Sequence, residues 1–351
     1  MKRSPFHSFI FLVGLLFIVS VSCNFGNRQL EPTAPQQPEI ESPSSATMES
    51  LSTEQPPTET PLPTEEDPEP TDFPTLVPTS LSQEPEPCQG DVCTLSGSFL
   101  LARPIAPSGR NTIDPSYRYG DYRHSTRDTH RGVDFLNSTG TPVLAAADGQ
   151  VVVAGDDLDT PYGPRLDFYG NLIVVEHNLA GISEPLYTLY AHLSELLVEV
   201  GDPVETGQEI GLVGMSGGVP GSTLHFEVRL GENAYQAARN PELWLEPLLE
   251  GSDQLSGTLA GRVLDEDGEY QHVDNIVLEQ LAGPGLPALD QFYMRTYEKS
   301  DLWGLSPWEE SFAISELPPG SYQITFMFNG LQQRVVDVFP GMLTMVDFQI
   351  E

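Results

Sequence analysis

Positive charge is scarce in this chain. Across 351 residues, 16 Lys and Arg face 51 Asp and Glu, for a formal net charge of −35. A polyanion of this kind repels phosphate backbones, which argues against nucleic acid as a partner. Cysteine is nearly absent: the three present are too few for a disulfide-dense scaffold or a four-cysteine zinc site. Long apolar runs are missing too, and beyond the N-terminus no stretch is long enough to span a bilayer as a helix. What remains is enough chain for two ordinary domains with tails. Its acidity favours solubility and identifies no substrate.

The one apolar run extends from Phe9 to Val21, broken only by Gly14 and Ser20, behind Lys2 and Arg3. It is shorter than a membrane span and reads as the core of a signal peptide. It ends at Ser20-Val21-Ser22-Cys23. Small residues before a cysteine resemble a lipobox, with Ser20 where leucine is usual. That resemblance implies cleavage and acylation at Cys23, hence an exported chain held to the membrane outside the cytoplasm; ordinary secretion is the alternative. From Asn24 to Pro87 the composition is dominated by Pro, Thr, Ser and Glu, with Arg28 the only basic residue. Such a segment buries too little apolar surface to fold, so residues 24–94 are expected to be a disordered, extended tether. Cys88 and Cys93 flank Gly90-Asp91, a turn that suits a small disulfide loop of little stabilising effect.

Ordered sequence is expected in two all-β parts. Residues 95–250 carry short strands separated by Gly and Asp turns, including 143–147, 150–154, 171–177, 186–192, 209–214 and 223–229. Asn240-Pro241 reads as a helix cap with proline in the first turn, predicting a short helix through Leu248. Residues 254–351 alternate apolar and polar positions between regular turns, as a β-sandwich does. Their Leu317-Pro-Pro-Gly-Ser-Tyr322 resembles a turn of the prealbumin-like modules of carboxypeptidase regulatory domains.

Three histidine motifs lie in the middle part: His130-Arg-Gly-Val-Asp134, Leu189-Tyr-Ala-His192 and Thr223-Leu-His225-Phe-Glu227. Imidazole and carboxylate suit zinc, and a catalytic zinc takes three protein ligands with a fourth position open. Residues 130, 134 and 225 are able to supply such a set.

These motifs stand in a longer ordered series: Gly140-Thr-Pro-Val, Ala147-Asp-Gly, Tyr169-Gly-Asn, Gly201-Asp-Pro-Val, Thr206-Gly-Gln-Glu-Ile-Gly and Asn240-Pro. Together they resemble the lysostaphin/LytM-type zinc endopeptidases over residues 128–245. The resemblance implies an antiparallel β-sheet core with a groove. It also implies one Zn2+ held by His130, Asp134 and His225, with His192 beside the metal assisting catalysis. The implied substrates are peptides of peptidoglycan in the cell envelope.

The sequence departs from the family at Thr223, where the first histidine of His-x-His is usual. A hydroxyl forms hydrogen bonds but is no base near neutral pH, so catalysis is expected to be weakened, re-routed or absent. The alternative function is a degenerate wall-binding protein or an activator of a separate wall hydrolase. His124 reads as a solvated loop residue, His177 as a structural one and His272 as uninvolved. Glu227 shares a strand face with His225, as a partner to it or as a buried structural carboxylate. Tyr190 is read as core in preference to cleft. Asn111, or a neighbour in 97–129, is a candidate cap over the metal.

Overall fold

Side-chain alternation along the strands decides where the cores of this protein lie. The computed structural model describes residues 90–96, 99–122, 128–249, 254–283, 286–298, 300–302 and 308–351. The expected signal peptide, Cys23, the tether, Cys88 and His124 lie outside them. In chain order the strands are β1 (Val92–Ser96), β2 (Val133–Leu136), β3 (Pro142–Leu144), β4 (Gly149–Asp156), β5 (Asn171–His177) and β6 (Leu186–Ala191). Next come β7 (Leu193–Leu196), β8 (Pro203–Val204), β9 (Glu209–Val213), β10 (Thr223–Leu230), β11 (Ala238–Arg239) and β12 (Gly257–Leu264). The last are β13 (Ile276–Leu281), β14 (Ala288–Met294), β15 (Phe312–Leu317), β16 (Gly320–Met327), β17 (Leu331–Val338) and β18 (Met342–Gln349). The described residues are all-β, as expected, and no described helix is long and apolar enough to cross a membrane.

The middle part is built on an antiparallel sheet in the order β11-β10-β6-β5-β4-β8, with β2 also paired to β10, and on a smaller sheet β3-β9-β7. In β5, Ile173 and Val175 pack into the large core, whereas Leu172 and Val174 join a second cluster with Tyr169 and Leu189 on the opposite face. A strand covered on both faces reads as a continuous apolar run, which Leu-Ile-Val-Val is. Strand β10 divides differently. Leu224, Phe226 and Val228 point into the large core, so by the two-residue period Thr223, His225, Glu227 and Arg229 share the other face.

The C-terminal part consists of two four-stranded sheets, β1-β18-β12-β15 and β14-β13-β16-β17. All pairings are antiparallel except β12 with β18. Leu259, Val263, Phe312, Ile314, Val346 and Phe348 of the first sheet meet Ile276, Leu278, Ile324 and Phe326 of the second. The alternate residues Ala260, Ala313, Leu343 and Met345 belong to the core of the middle part. The first sheet is therefore apolar on both faces, one inside the sandwich and one against its neighbour. Strand β1 straddles the expected boundary at residue 94 and pairs with β18. Its Cys93 is disulfide-bonded.

The helix predicted through Leu248 is a single 3-10 turn, Pro241–Leu243. Asn240 caps it as read from sequence, its side chain accepting from the Glu242 N–H at 3.0 Å. The turn stops because Leu243, Trp244 and Leu245 are all buried in succession, which one helix face cannot achieve. Leu245 instead bridges to Leu101.

Candidate metal centre

Strand register creates the site. On β10, His225 stands opposite Asp134 of β2 on one side and Ala191 of β6 on the other. The residue after Ala191 is His192, held at φ 64 where β6 passes into β7. Such a φ is uncommon for a residue with a side chain, and here it turns the imidazole toward the cleft. His130 enters from the loop before β2.

His130 Nε2 lies 3.1 Å from His225 Nδ1 and 3.3 Å from Asp134 Oδ1, and His225 Nδ1 lies 2.9 Å from the same oxygen. Bonds of about 2.0–2.1 Å to a tetrahedral ion separate ligand atoms by roughly 3.3 Å, so the three donors are spaced to share one cation. His130, Asp134 and His225 are the residues of a described cluster able to hold a metal.

Outer partners set the tautomers. His130 Nδ1–H donates to the Arg118 carbonyl at 3.2 Å, leaving Nε2 as a lone pair. Tyr117 stacks on the same ring, with centroids 4.1 Å apart, and donates its hydroxyl to the Asp128 carbonyl. His225 Nε2–H donates to Glu227 Oε1 at 3.1 Å, which turns Nδ1 toward the cluster. Glu227 also takes the Tyr169 hydroxyl and pairs with Arg229 Nε at 2.8 Å, all three side chains being buried. His192 Nδ1–H donates to the Ser216 carbonyl at 2.9 Å, and its ring centre lies 5.8 Å from that of His225.

These contacts explain the protonation pattern. Burial opposes ionisation of Asp134, but His130 and His225 overcome it and hold the carboxyl far below its usual range. Burial likewise disfavours His225 in its charged form, yet Asp134 and Glu227 on either side lift it to about 9. A proton on His225 supplies positive charge between two carboxylates. Burial, then the neighbouring His225, pushes His192 down to about 4, so that ring is neutral. Burial works against the Glu227 carboxylate as well, but Arg229 leads the groups that hold it at about 2.

Two backbone devices fix the loops around His192. Asp157, fully buried, accepts the N–H groups of Phe168, Tyr169 and Gly170 at 2.8–2.9 Å. Gly170 is at φ 65, and a Cβ there would meet the Gly217 nitrogen at 2.4 Å. This close approach brings the Ser216 carbonyl onto His192.

Thr223 lines the same cleft, a space of about 670 Å³, but its hydroxyl donates to the Phe135 carbonyl at 3.1 Å. Tyr190 is fully buried and its hydroxyl oxygen accepts the Ala146 N–H at 2.8 Å, so it is core. His177 is structural, bonded to the Asp148 carbonyl and Thr188 Oγ1. His272 lies in the C-terminal part, bonded to Asp274 and Thr296. Asn111 caps nothing at the cleft; its side chain makes both bonds to the Ile105 backbone. Asp114, Tyr117, Asp128 and Thr129 are the members of that segment at the cleft wall. Arg118, Arg229 and Ser216 carry no motif of their own, and only the alternation along β10 pointed toward Arg229.

The model of peptidase family M23 matches residues 128–237. Over these residues, about a third of its length, the chain is similar to peptidase family M23. The peptidoglycan DD-endopeptidase ShyB of Vibrio cholerae is 39% identical to this chain over 99 residues, 28% of this chain and 20% of that protein. The murein hydrolase activator NlpD of Escherichia coli is 37% identical over 100 residues, 28% of this chain and 23% of its own. The chain thus spans less than a quarter of either relative's length. Among solved structures, the catalytic domain of lysostaphin from Staphylococcus simulans is 36% identical, covering 36% of this chain and 86% of that one, with a TM-score of 0.31. The lysostaphin/LytM-type resemblance read from the motifs holds for the M23 domain.

Proposed function

We propose that this chain is a zinc metallopeptidase-like protein of the cell envelope that hydrolyses peptide cross-links of peptidoglycan. The observation carrying this reading is the convergence of His130 Nε2, Asp134 Oδ1 and His225 Nδ1 to within 3.3 Å, each imidazole with its other nitrogen already bonded. Two neutral imidazoles and a carboxylate are a donor set that suits zinc. When bound, the ion supplies Lewis acidity toward a peptide carbonyl and activates water near neutral pH. The protein's own contribution is orientation. Glu227 and the Arg118 carbonyl hold the ring planes, and Ser216 holds His192 so that its free Nε2 faces the cleft, ready to donate to or accept from the reacting centre. The expected export and the lipid anchor at Cys23 belong to this reading, since the substrate lies outside the cytoplasm.

A second reading is favoured by Thr223. Its hydroxyl is engaged by the Phe135 carbonyl and offers no base where the family's histidine stands. The chain would then bind wall peptides or activate a separate hydrolase, and an activator is among its relatives by name. Incubating the full chain with zinc and several murein preparations separates the two. Release of soluble muropeptides that chelation abolishes supports the peptidase; binding to sacculi without release supports the second reading.

A further inference from the structure

The polar contacts that hold His130 do not end within the M23 domain. The Arg118 carbonyl accepts His130 Nδ1–H, and the Arg118 guanidinium is gripped by Glu242, which is 1% exposed. The Glu242 oxygen that meets Arg118 also accepts the Ser315 backbone N–H at 2.7 Å and the Ser315 hydroxyl at 2.8 Å. Ser315 lies in β15, in the sandwich sheet that faces the M23 domain. A second line runs beside the first. Gly120 N–H donates to the His130 carbonyl at 2.8 Å, and the Gly120 carbonyl accepts from Glu298 N–H at 3.3 Å. Between them Tyr119 packs edge-on against Tyr297, centroids 5.1 Å apart, and Tyr297 takes a bond from the Asn240 cap at 3.0 Å.

Residues 118–120 are therefore a strap with His130 on one edge and the C-terminal sandwich on the other. We propose that the sandwich positions His130 for metal binding, through Ser315, Glu242 and Arg118, and so completes the metal centre. This rests on the metal-binding reading above. Ser315 touches no cleft group and is a positioning residue. Its hydroxyl and N–H fix Glu242, the buried carboxylate fixes the Arg118 side chain, and the Arg118 carbonyl fixes the plane and tautomer of the imidazole. Loss of such an outer partner typically weakens metal binding by about 10- to 100-fold.

The test uses the full chain with Ser315→Val, its isostere Ser315→Thr, and Phe326→Leu as a control that loosens the sandwich core without touching the strap. Zinc affinity is measured by competition with a chromophoric chelator, and the visible spectrum of the cobalt-loaded protein reports ligand geometry. The expected result is a roughly 10-fold or greater loss of zinc affinity and an altered cobalt spectrum in Ser315→Val. Ser315→Thr should retain wild-type values, and Phe326→Leu should lower the melting temperature with zinc affinity unchanged. Wild-type affinity in Ser315→Val, or an equal loss in Phe326→Leu, would overturn the positioning role while leaving the metal site standing. A wild-type chain that binds zinc no better than His130→Ala would remove the metal reading itself, and this proposal with it.

Discussion

His225 and Asp134 face each other across the β10–β2 ladder, and His225 Nδ1 reaches Asp134 Oδ1 at 2.9 Å. Their 91-residue separation in sequence is closed by one antiparallel pairing. The pair has no tolerance for a missing partner if it shares an ion with His130. Asp134→Ala and His130→Ala are each expected to abolish stoichiometric zinc retention after dialysis, measured by elemental analysis. Retention of one equivalent by both variants would sink the assignment.

Thr223→His tests whether the domain is a weakened enzyme. The side chain shares the cleft face of β10 with His225, so a histidine there projects into the same space. Restoring a proton-handling group is expected to raise muropeptide release by on the order of 10²-fold or more. No turnover by either form would favour the wall-binding reading.

Glu227→Gln separates the carboxylate's charge from its shape. Arg229 would be left buried beside a neutral amide, a change that costs about 3–5 kcal/mol when one partner of a buried pair is removed. Urea denaturation of the zinc-free protein should show that loss. Zinc affinity should fall by about 10- to 100-fold, because His225 Nε2 loses its charged acceptor.

His177 is expected to make the protein less stable in mild acid. Burial lowers its folded pKa below the ordinary 6.5, against the opposing pull of the Asp148 carbonyl. The unfolded chain therefore binds this proton more readily than the folded one. Its contribution is intact above about pH 6.5 and declines as pH falls from there toward the folded value. The difference in unfolding free energy between pH 8 and pH 5 should be smaller in His177→Gln than in wild type. Equal differences would show that another group carries the effect.

Part of the site was legible because zinc chemistry restricts residue types. His130, Asp134, His192 and His225 stand in compact motifs, and the two-residue period of a strand already placed Glu227 beside His225. Arg118 was not legible, since it acts through its backbone carbonyl, which every residue possesses. Ser216 was hidden for the same reason. The helix expected after Asn240 failed because the cap and proline are local signals, whereas burial of Leu243, Trp244 and Leu245 is a demand of the surrounding core.

The sequence by itself determined the all-β character, the acidic charge and the inventory of candidate metal ligands, because these follow from composition, alternation and turn residues. Only the tertiary structure decided that β1 joins the last strand, that one sandwich sheet is buried on both faces, and that the strap holding His130 is itself held by Ser315. Those are pairings between distant segments. They are set by which apolar faces and buried charges satisfy one another, and no local pattern records that choice.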